Sequence, residues 1–278
     1  MDHVLSVGQF DRDDIDRILA RSDEMYRIGA LSNDHRLRGR VLATLFYEPS
    51  TRTRLSFESA MYRLGGEVIS SEMAGETSSA SKGESIEDTV RIVESYADAM
   101  VIRHPVAESV DRAAAVSSRP IVNAGDGARE HPTQALLDLY TIYRELGRID
   151  NFTIALVGDL LYGRAPRSLA SLLTLSRNVR IQLVSPPELE MALDVIRALD
   201  EAGVEYQIER DLDAVVGESD VVYMTRVQRE RFPDPSSYDA VKRSYVFGTE
   251  QMAAMRESAV LMHPLPRVDE IDPAVDAD

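Results

Sequence analysis

Short apolar runs alternate with amphipathic segments along most of the chain, and that alternation constrains the fold more than any other feature. Val41–Tyr47, Ala99–Arg103, Ile121–Ala124, Phe152–Gly158, Val179–Val184, Asp220–Thr225 and Ala259–Met262 are rich in apolar or β-branched residues, as buried strands are. Ile86–Ala97, Thr133–Leu146 and Glu188–Ala202 carry apolar residues at i, i+3 and i+4, as helices with one buried face do. Strands buried on both faces and separated by helices predict an α/β fold of doubly wound parallel sheets. At 278 residues, 44% of them hydrophobic, the chain is long enough for two such domains. The spacing predicts a first domain over 1–132 and a second over 133–278. The segment 133–146 reads as the connecting helix, and Gly147–Asn151 as a short link into a new strand. Two α/β domains joined by a helix are expected to leave a cleft for the active site. Ligands of open α/β sheets sit beyond the carboxyl ends of the strands, so the loops there are where function is expected.

Composition narrows the function. Asp and Glu number 47 against 31 Lys and Arg, a formal net charge of −16. A nucleic-acid partner would call for a basic patch, so none is expected. Only two of those 31 cations are Lys, Lys82 and Lys242. An acidic, Lys-poor surface suits a salt-rich cytoplasm, because net charge opposes association. A GC-rich genome also favours Arg, but the acidic excess tilts the reading toward a halophile. There is no Cys, which excludes disulfides, thiolate metal sites and a Cys nucleophile. No apolar run approaches the ~18–20 residues of a membrane span, and no signal-peptide pattern opens the chain. A cytoplasmic protein is expected.

The first predicted strand runs into Glu48-Pro49-Ser50-Thr51-Arg52-Thr53-Arg54, followed by a helical pattern over Leu55–Leu64. Hydroxyls and a guanidinium at a helix start make an anion cradle without P-loop glycines. An ordinary Ser/Thr cap with solvated arginines would look the same. Lys82 lies in the small polar loop Thr77–Ser85, where a mobile ammonium is a candidate oxyanion ligand; the plain alternative is a flexible loop. His3 and His35 read as structural, whereas His131 stands at a helix start and could hydrogen-bond a carbonyl oxygen. Gly158–Arg164 follows a strand, but its glycines lack the dinucleotide spacing G-x-G-x-x-G. Five strand ends deliver Arg52, Arg103, Arg164, Arg226 and Arg267. Such a set suits a substrate with several negative charges, since Arg pairs phosphates and carboxylates bidentately.

Phe46–Arg54, Arg103-His104-Pro105, His131-Pro132-Thr133-Gln134 and His263-Pro264-Leu265-Pro266-Arg267 closely resemble the signatures of the aspartate/ornithine carbamoyltransferase family. Asp159–Arg164 and Tyr223–Gln228 are similar to the aspartate-specific catalytic chains within it. The Cys-free chain departs from the His-Cys-Leu-Pro of the ornithine members. The resemblance implies transfer of a carbamoyl group from carbamoyl phosphate to L-aspartate, a step of pyrimidine synthesis that needs no metal or other cofactor. It implies that Ser50, Thr51, Arg52 and Thr53 hold the phosphate with help from Arg103. Thr53, Arg103 and His131 would hydrogen-bond the carbamoyl oxygen. Gln134 and the backbone carbonyls of Pro264 and Leu265 would hold the carbamoyl NH2, while Arg164, Arg226 and Gln228 would orient the aspartate carboxylates. A cis Leu265–Pro266 bond is also implied, with Glu48 and Glu230 pairing to arginines such as Arg164 and Arg226. So is a homotrimer in which the loop bearing Ser78 and Lys82 reaches the neighbouring subunit's site. A separate regulatory chain is left open.

Two departures from the family pattern bear on activity. Leu161, Pro166 and Arg167 stand where Lys, Val and His are common, and Pro166 fits only within the first turn of a helix. The sequence closes at Asp278, where relatives continue into a final helix, so Asp272–Asp278 is expected to be a frayed acidic tail. These departures keep two alternatives in view. One is a non-catalytic homologue acting as a scaffold or partner subunit, the other a carbamoyltransferase for a different amine acceptor.

Overall fold

Nine strands form two sheets in the computed structural model, which describes residues 2–29, 34–72, 83–227, 238, 241 and 244–277. The chain divides into two units, Met1–Thr133 and Gln134–Asp278, with one sheet in each. In the first unit β1 (Val41–Phe46), β2 (Glu67–Glu72), β3 (Ala99–His104) and β4 (Ile121–Asp126) lie in the order β2-β1-β3-β4. In the second β5 (Phe152–Val157), β6 (Val179–Val184), β7 (Glu205–Glu209), β8 (Val221–Met224) and β9 (Val260–Met262) lie in the order β7-β6-β5-β8-β9. All pairings between these strands are parallel. The expected architecture of two parallel-sheet α/β domains is the one observed.

Alternation along each strand feeds both faces of its sheet. In the first unit Ala43, Leu45, Met100 and Ile102 enter one core with Val90 and Val110 from the helices Ile86–Val93 and Ser109–Val116. Leu42, Phe46 and Val101 enter the opposite core with Met61 of the helix Thr51–Arg63. In the second unit Ala155, Val157, Val222 and Met224 share a core with Phe247, Ile271 and Val275. Burial, rather than place in the sheet, decides how visible a strand is in the sequence, since the edge strands β4 and β9 carry apolar runs and were expected. All of β8 and nearly all of β5 are buried, whereas β2 and β7 lie at sheet edges and are mostly exposed. Neither β2 nor β7 was expected, because Glu67–Glu72 and Glu205–Glu209 lack an apolar run and end in acids that discourage edge pairing.

Three expectations need correction. The helix expected over Glu188–Ala202 is two elements, a 3-10 turn Pro187–Leu189 and the helix Leu193–Ala202. Buried Leu189, whose carbonyl accepts the Leu160 N–H, anchors the break. The segment Ile86–Ala97 leaves the helix after Val93 and continues as a turn. The tail is not frayed: Pro273–Ala277 forms a 3-10 helix, Val275 joins the core and Asp276 pairs with Arg267. Pro166 is the third residue of the helix Arg164–Leu173, inside the first turn that the sequence required. No helix among the described residues is long and apolar enough to cross a membrane.

Candidate functional site

Both sheets reverse their strand order once, the first between β1 and β3, the second between β5 and β8. In open parallel sheets the carboxyl ends at such a reversal are where ligands bind. Most of the described candidate residues stand on loops leaving these strands or their outer neighbours β4 and β9.

In the first unit β1 ends at Phe46 and the helix Thr51–Arg63 begins five residues later. Ser50 is the extended residue before that helix, and its hydroxyl does not cap it. The first intrahelical bond runs from the Arg54 N–H to the Ser50 carbonyl, so the N–H groups of Thr51, Arg52 and Thr53 are first-turn donors. Thr51 and Arg52 are exposed and Thr53 is half-buried. The two arginines of this segment diverge. Arg54 turns back to Glu58 and Glu72, at 3.3 and 3.0 Å, while Arg52 has no ion pair among the described residues. Hydroxyls, first-turn N–H groups and one guanidinium at a helix start are what a phosphate needs.

Arg103 pairs in register with Phe46, which brings it beside Glu48. Its Nη2 lies 2.7 Å from Glu48 Oε1 and its Nη1 donates to the Ala124 carbonyl at 3.3 Å. Glu48 thus grips Arg103, a partner not foreseen for it. His131 is buried, with Nδ1 3.4 Å from the Thr133 hydroxyl at the start of the helix Pro132–Leu146. Ser78 and Lys82 lie outside the described residues.

In the second unit β5 and β8 deliver Arg164 and Arg226. Between β5 and Arg164 the chain makes a tight turn organised by buried Asp159. Its N–H donates to the Thr225 hydroxyl oxygen at 3.1 Å, and its Oδ1 accepts the Tyr162 N–H at 2.8 Å. Thr225 in turn donates to the Val157 carbonyl at 3.0 Å, locking the two strand ends together. Gly158 has φ +114°, and a Cβ there would stand 2.3 Å from the Thr225 carbonyl oxygen, so only glycine fits. Arg167, one of the unusual residues, is turned to Asp194 at 2.8 Å. Gln228 and Glu230 lie outside the described residues.

The loop after β9 carries the cis Leu265–Pro266 bond and places Leu265 at φ +55°. His263 braces it. Nδ1 accepts the Leu265 N–H at 2.8 Å, which assigns the ring proton to Nε2. Nε2 stands 2.7 Å from Glu270 Oε1, though off the line of a straight hydrogen bond. Burial pushes the Glu270 carboxyl up, but His263 and nearby backbone N–H groups outweigh it and hold the carboxyl below its usual range. Arg267, expected to join the substrate arginines, is instead committed to Asp276.

Gln134 stands in the first turn of the helix Pro132–Leu146, and its Nε2 donates to Asp138 Oδ1 at 2.9 Å. Asp138 and its second partner, Tyr223, were missed as site residues. The available signal was an acid on the inner face of an amphipathic helix, four residues after a candidate ligand. Among the described residues no three His, Asp or Glu side chains gather to hold a metal ion.

Residues 2–144 match the family model of the aspartate/ornithine carbamoyltransferase carbamoyl-phosphate binding domain, and residues 150–278 that of the aspartate/ornithine binding domain. The aspartate carbamoyltransferase catalytic subunit of Methanopyrus kandleri is 50% identical over 98% of this chain and 88% of its own length. The chloroplastic aspartate carbamoyltransferase of Arabidopsis thaliana is also 50% identical, over 99% of this chain and 71% of its own. Among solved structures, aspartate transcarbamoylase of Trypanosoma cruzi in complex with carbamoyl phosphate and aspartate aligns with a TM-score of 0.93 at 41% identity. It covers all of this chain and 89% of its own. The Methanocaldococcus jannaschii catalytic subunit aligns at 0.91 with 48% identity, covering 99% and 90%. With both domain models matched and relatives at half identity over nearly its whole length, the chain belongs to the aspartate/ornithine carbamoyltransferase family.

Proposed function

We propose that the chain transfers the carbamoyl group of carbamoyl phosphate to the amino group of L-aspartate, yielding N-carbamoyl-L-aspartate and phosphate. The observation that carries this reading is the pair of arginines, Arg164 and Arg226, at the β5/β8 reversal. Two guanidiniums suit a dicarboxylate and would repel a cationic acceptor such as ornithine. The phosphate end belongs to Ser50, Thr51, Arg52 and Thr53, with Arg103 held ready by Glu48.

In this scheme the unprotonated amine attacks the carbamoyl carbon and forms the C–N bond. Thr53, Arg103 and His131 donate to the carbonyl oxygen as negative charge collects there. Losing one such donor typically costs about 10²–10³ in rate. Collapse of the intermediate breaks the bond to the bridging oxygen, and the departing phosphate takes the amine proton. Binding the two substrates side by side supplies much of the acceleration. Pro264 and Leu265 carbonyls and the Gln134 amide hold the carbamoyl NH2, while Gln228 assists with aspartate. A cytoplasmic homotrimer completed by Ser78 and Lys82 from a neighbouring subunit goes with this reading. A regulatory chain, where present, would be a separate partner.

The test is colorimetric detection of ureido product with L-aspartate beside L-ornithine, at low and at molar salt. Turnover with aspartate alone is expected, and Arg52→Ala should abolish carbamoyl phosphate binding. Turnover with ornithine would move the reading to another acceptor. No turnover with either, in folded trimeric protein, would move it to a non-catalytic homologue. For the shared site, mixing inactive Lys82→Ala and His131→Ala chains should restore activity in hybrid trimers; inactive confirmed hybrids would exclude it.

A further inference from the structure

The Gln134 amide is held from behind. Asp138, which receives its Nε2, accepts the Tyr223 hydroxyl of β8 on Oδ2 at 2.7 Å. Tyr223 is fully buried and Asp138 is 4% exposed, whereas Gln134 is only partly buried. An amide has two ends of nearly the same shape and opposite hydrogen-bonding character. A carboxylate only accepts, so it takes the NH2 end of Gln134 and leaves the carbonyl end to meet a ligand. Tyr223 cannot reverse this arrangement. Burial and the adjacent carboxylate hold its hydroxyl far above the usual range, so it stays a donor. Burial pushes the Asp138 carboxyl up to about 7, against the pull of both donors.

We propose that Asp138 is a positioning residue that fixes the Gln134 carbonyl oxygen toward the substrate, so that the site selects a carbamoyl NH2 over a methyl group of similar size. This deepens the carbamoyl-transfer reading and rests on it. A hydrogen-bonding site rejects an analogue lacking the donor more strongly than an apolar pocket rejects a change in shape, because its own polar group is left unpaired.

The test compares carbamoyl phosphate with acetyl phosphate, which carries a methyl group in place of NH2. It uses the intact enzyme at a pH of about 8.5, above the about 7 of the Asp138 carboxyl. In Asp138→Asn the Tyr223 hydroxyl claims the new carbonyl, the new NH2 turns to Gln134, and the Gln134 amide reverses. The kcat/KM for carbamoyl phosphate is expected to fall about 10²-fold. Inhibition constants for acetyl phosphate and inorganic phosphate should stay within about twofold. Adding Gln134→Glu exchanges donor and acceptor between the two positions and keeps one negative charge. The double variant should recover about tenfold in kcat/KM over Asp138→Asn. Should Asp138→Asn alone not fold, the double variant is compared with Gln134→Glu alone, which sets two carboxylates face to face. Unchanged kcat/KM in Asp138→Asn, equal losses for the two acyl phosphates, or no recovery in the double variant would each overturn the positioning role. An unmodified enzyme without carbamoyl transfer would overturn the parent reading instead.

Discussion

A Cβ at Gly163 would stand 2.2 Å from the Asp159 carbonyl oxygen, although the residue has an ordinary φ of −70°. Its need for glycine is therefore a matter of space rather than backbone conformation. Gly163→Ala must open the turn that presents Arg164, at about 1–3 kcal/mol. The expected signature is a higher KM for aspartate and a lower Tm, with inorganic phosphate binding little changed; steady-state kinetics and calorimetry check it. The candidate residues Ser50, Arg52, Arg103, His131, Arg164 and Arg226 were legible because their chemistry is concentrated in short motifs after strands. Asp138 was not legible as a site residue. Its importance lies in a contact with Tyr223, 85 positions away, and no local pattern announces such a pairing.

Buried strands tolerate little change and exposed ones such as β2 and β7 leave little mark in the sequence, and burial is the cause of both. Leu156 in β5 is fully enclosed. Leu156→Ala should destabilise the second unit by about 2–5 kcal/mol, the transfer term plus the cavity left behind; denaturant unfolding measures it. The strands β2 and β7 escaped notice because their few apolar residues are half-buried or exposed, Ile69 and Ile208 among the exposed, and make no run. Between the helices Ile86–Val93 and Ser109–Val116, Arg112 holds Glu87 at 2.6 Å and lowers its carboxyl from 4.5 to about 2. A depressed carboxyl contributes stability that is complete above its unfolded value of 4.5 and lost as pH falls through about 2. Arg112→Ala removes that contribution, so acid unfolding followed by circular dichroism should begin at a higher pH than in the parent.

As a whole the molecule repels itself, with −16 formal charges spread over two units while its candidate ligand-binding arginines gather at the two strand-order reversals. Raising salt from about 0.1 to about 1 M shortens the Debye length from about 10 to about 3 Å, which relieves repulsion between distant acids. The Tm should therefore rise with KCl while inorganic phosphate binds more weakly at the Arg52 cradle; a thermal scan and a titration across the same salts check both trends. The two-sheet architecture was readable from alternation alone, since buried strands and amphipathic helices leave strong periodic marks. The fate of the last residues was not, because a handful of acids looks like solvent-loving tail until Val275 finds a core to enter. That docking ties the loop after β9, proposed to hold the carbamoyl NH2, to the residues that follow Asp272. Arg267 closes the loop after β9, and its carboxylate partner is nine positions on. Trimming the protein after Asp272 would therefore act by remote control, slackening the Pro264–Leu265 carbonyls while leaving every residue assigned to the chemistry in place.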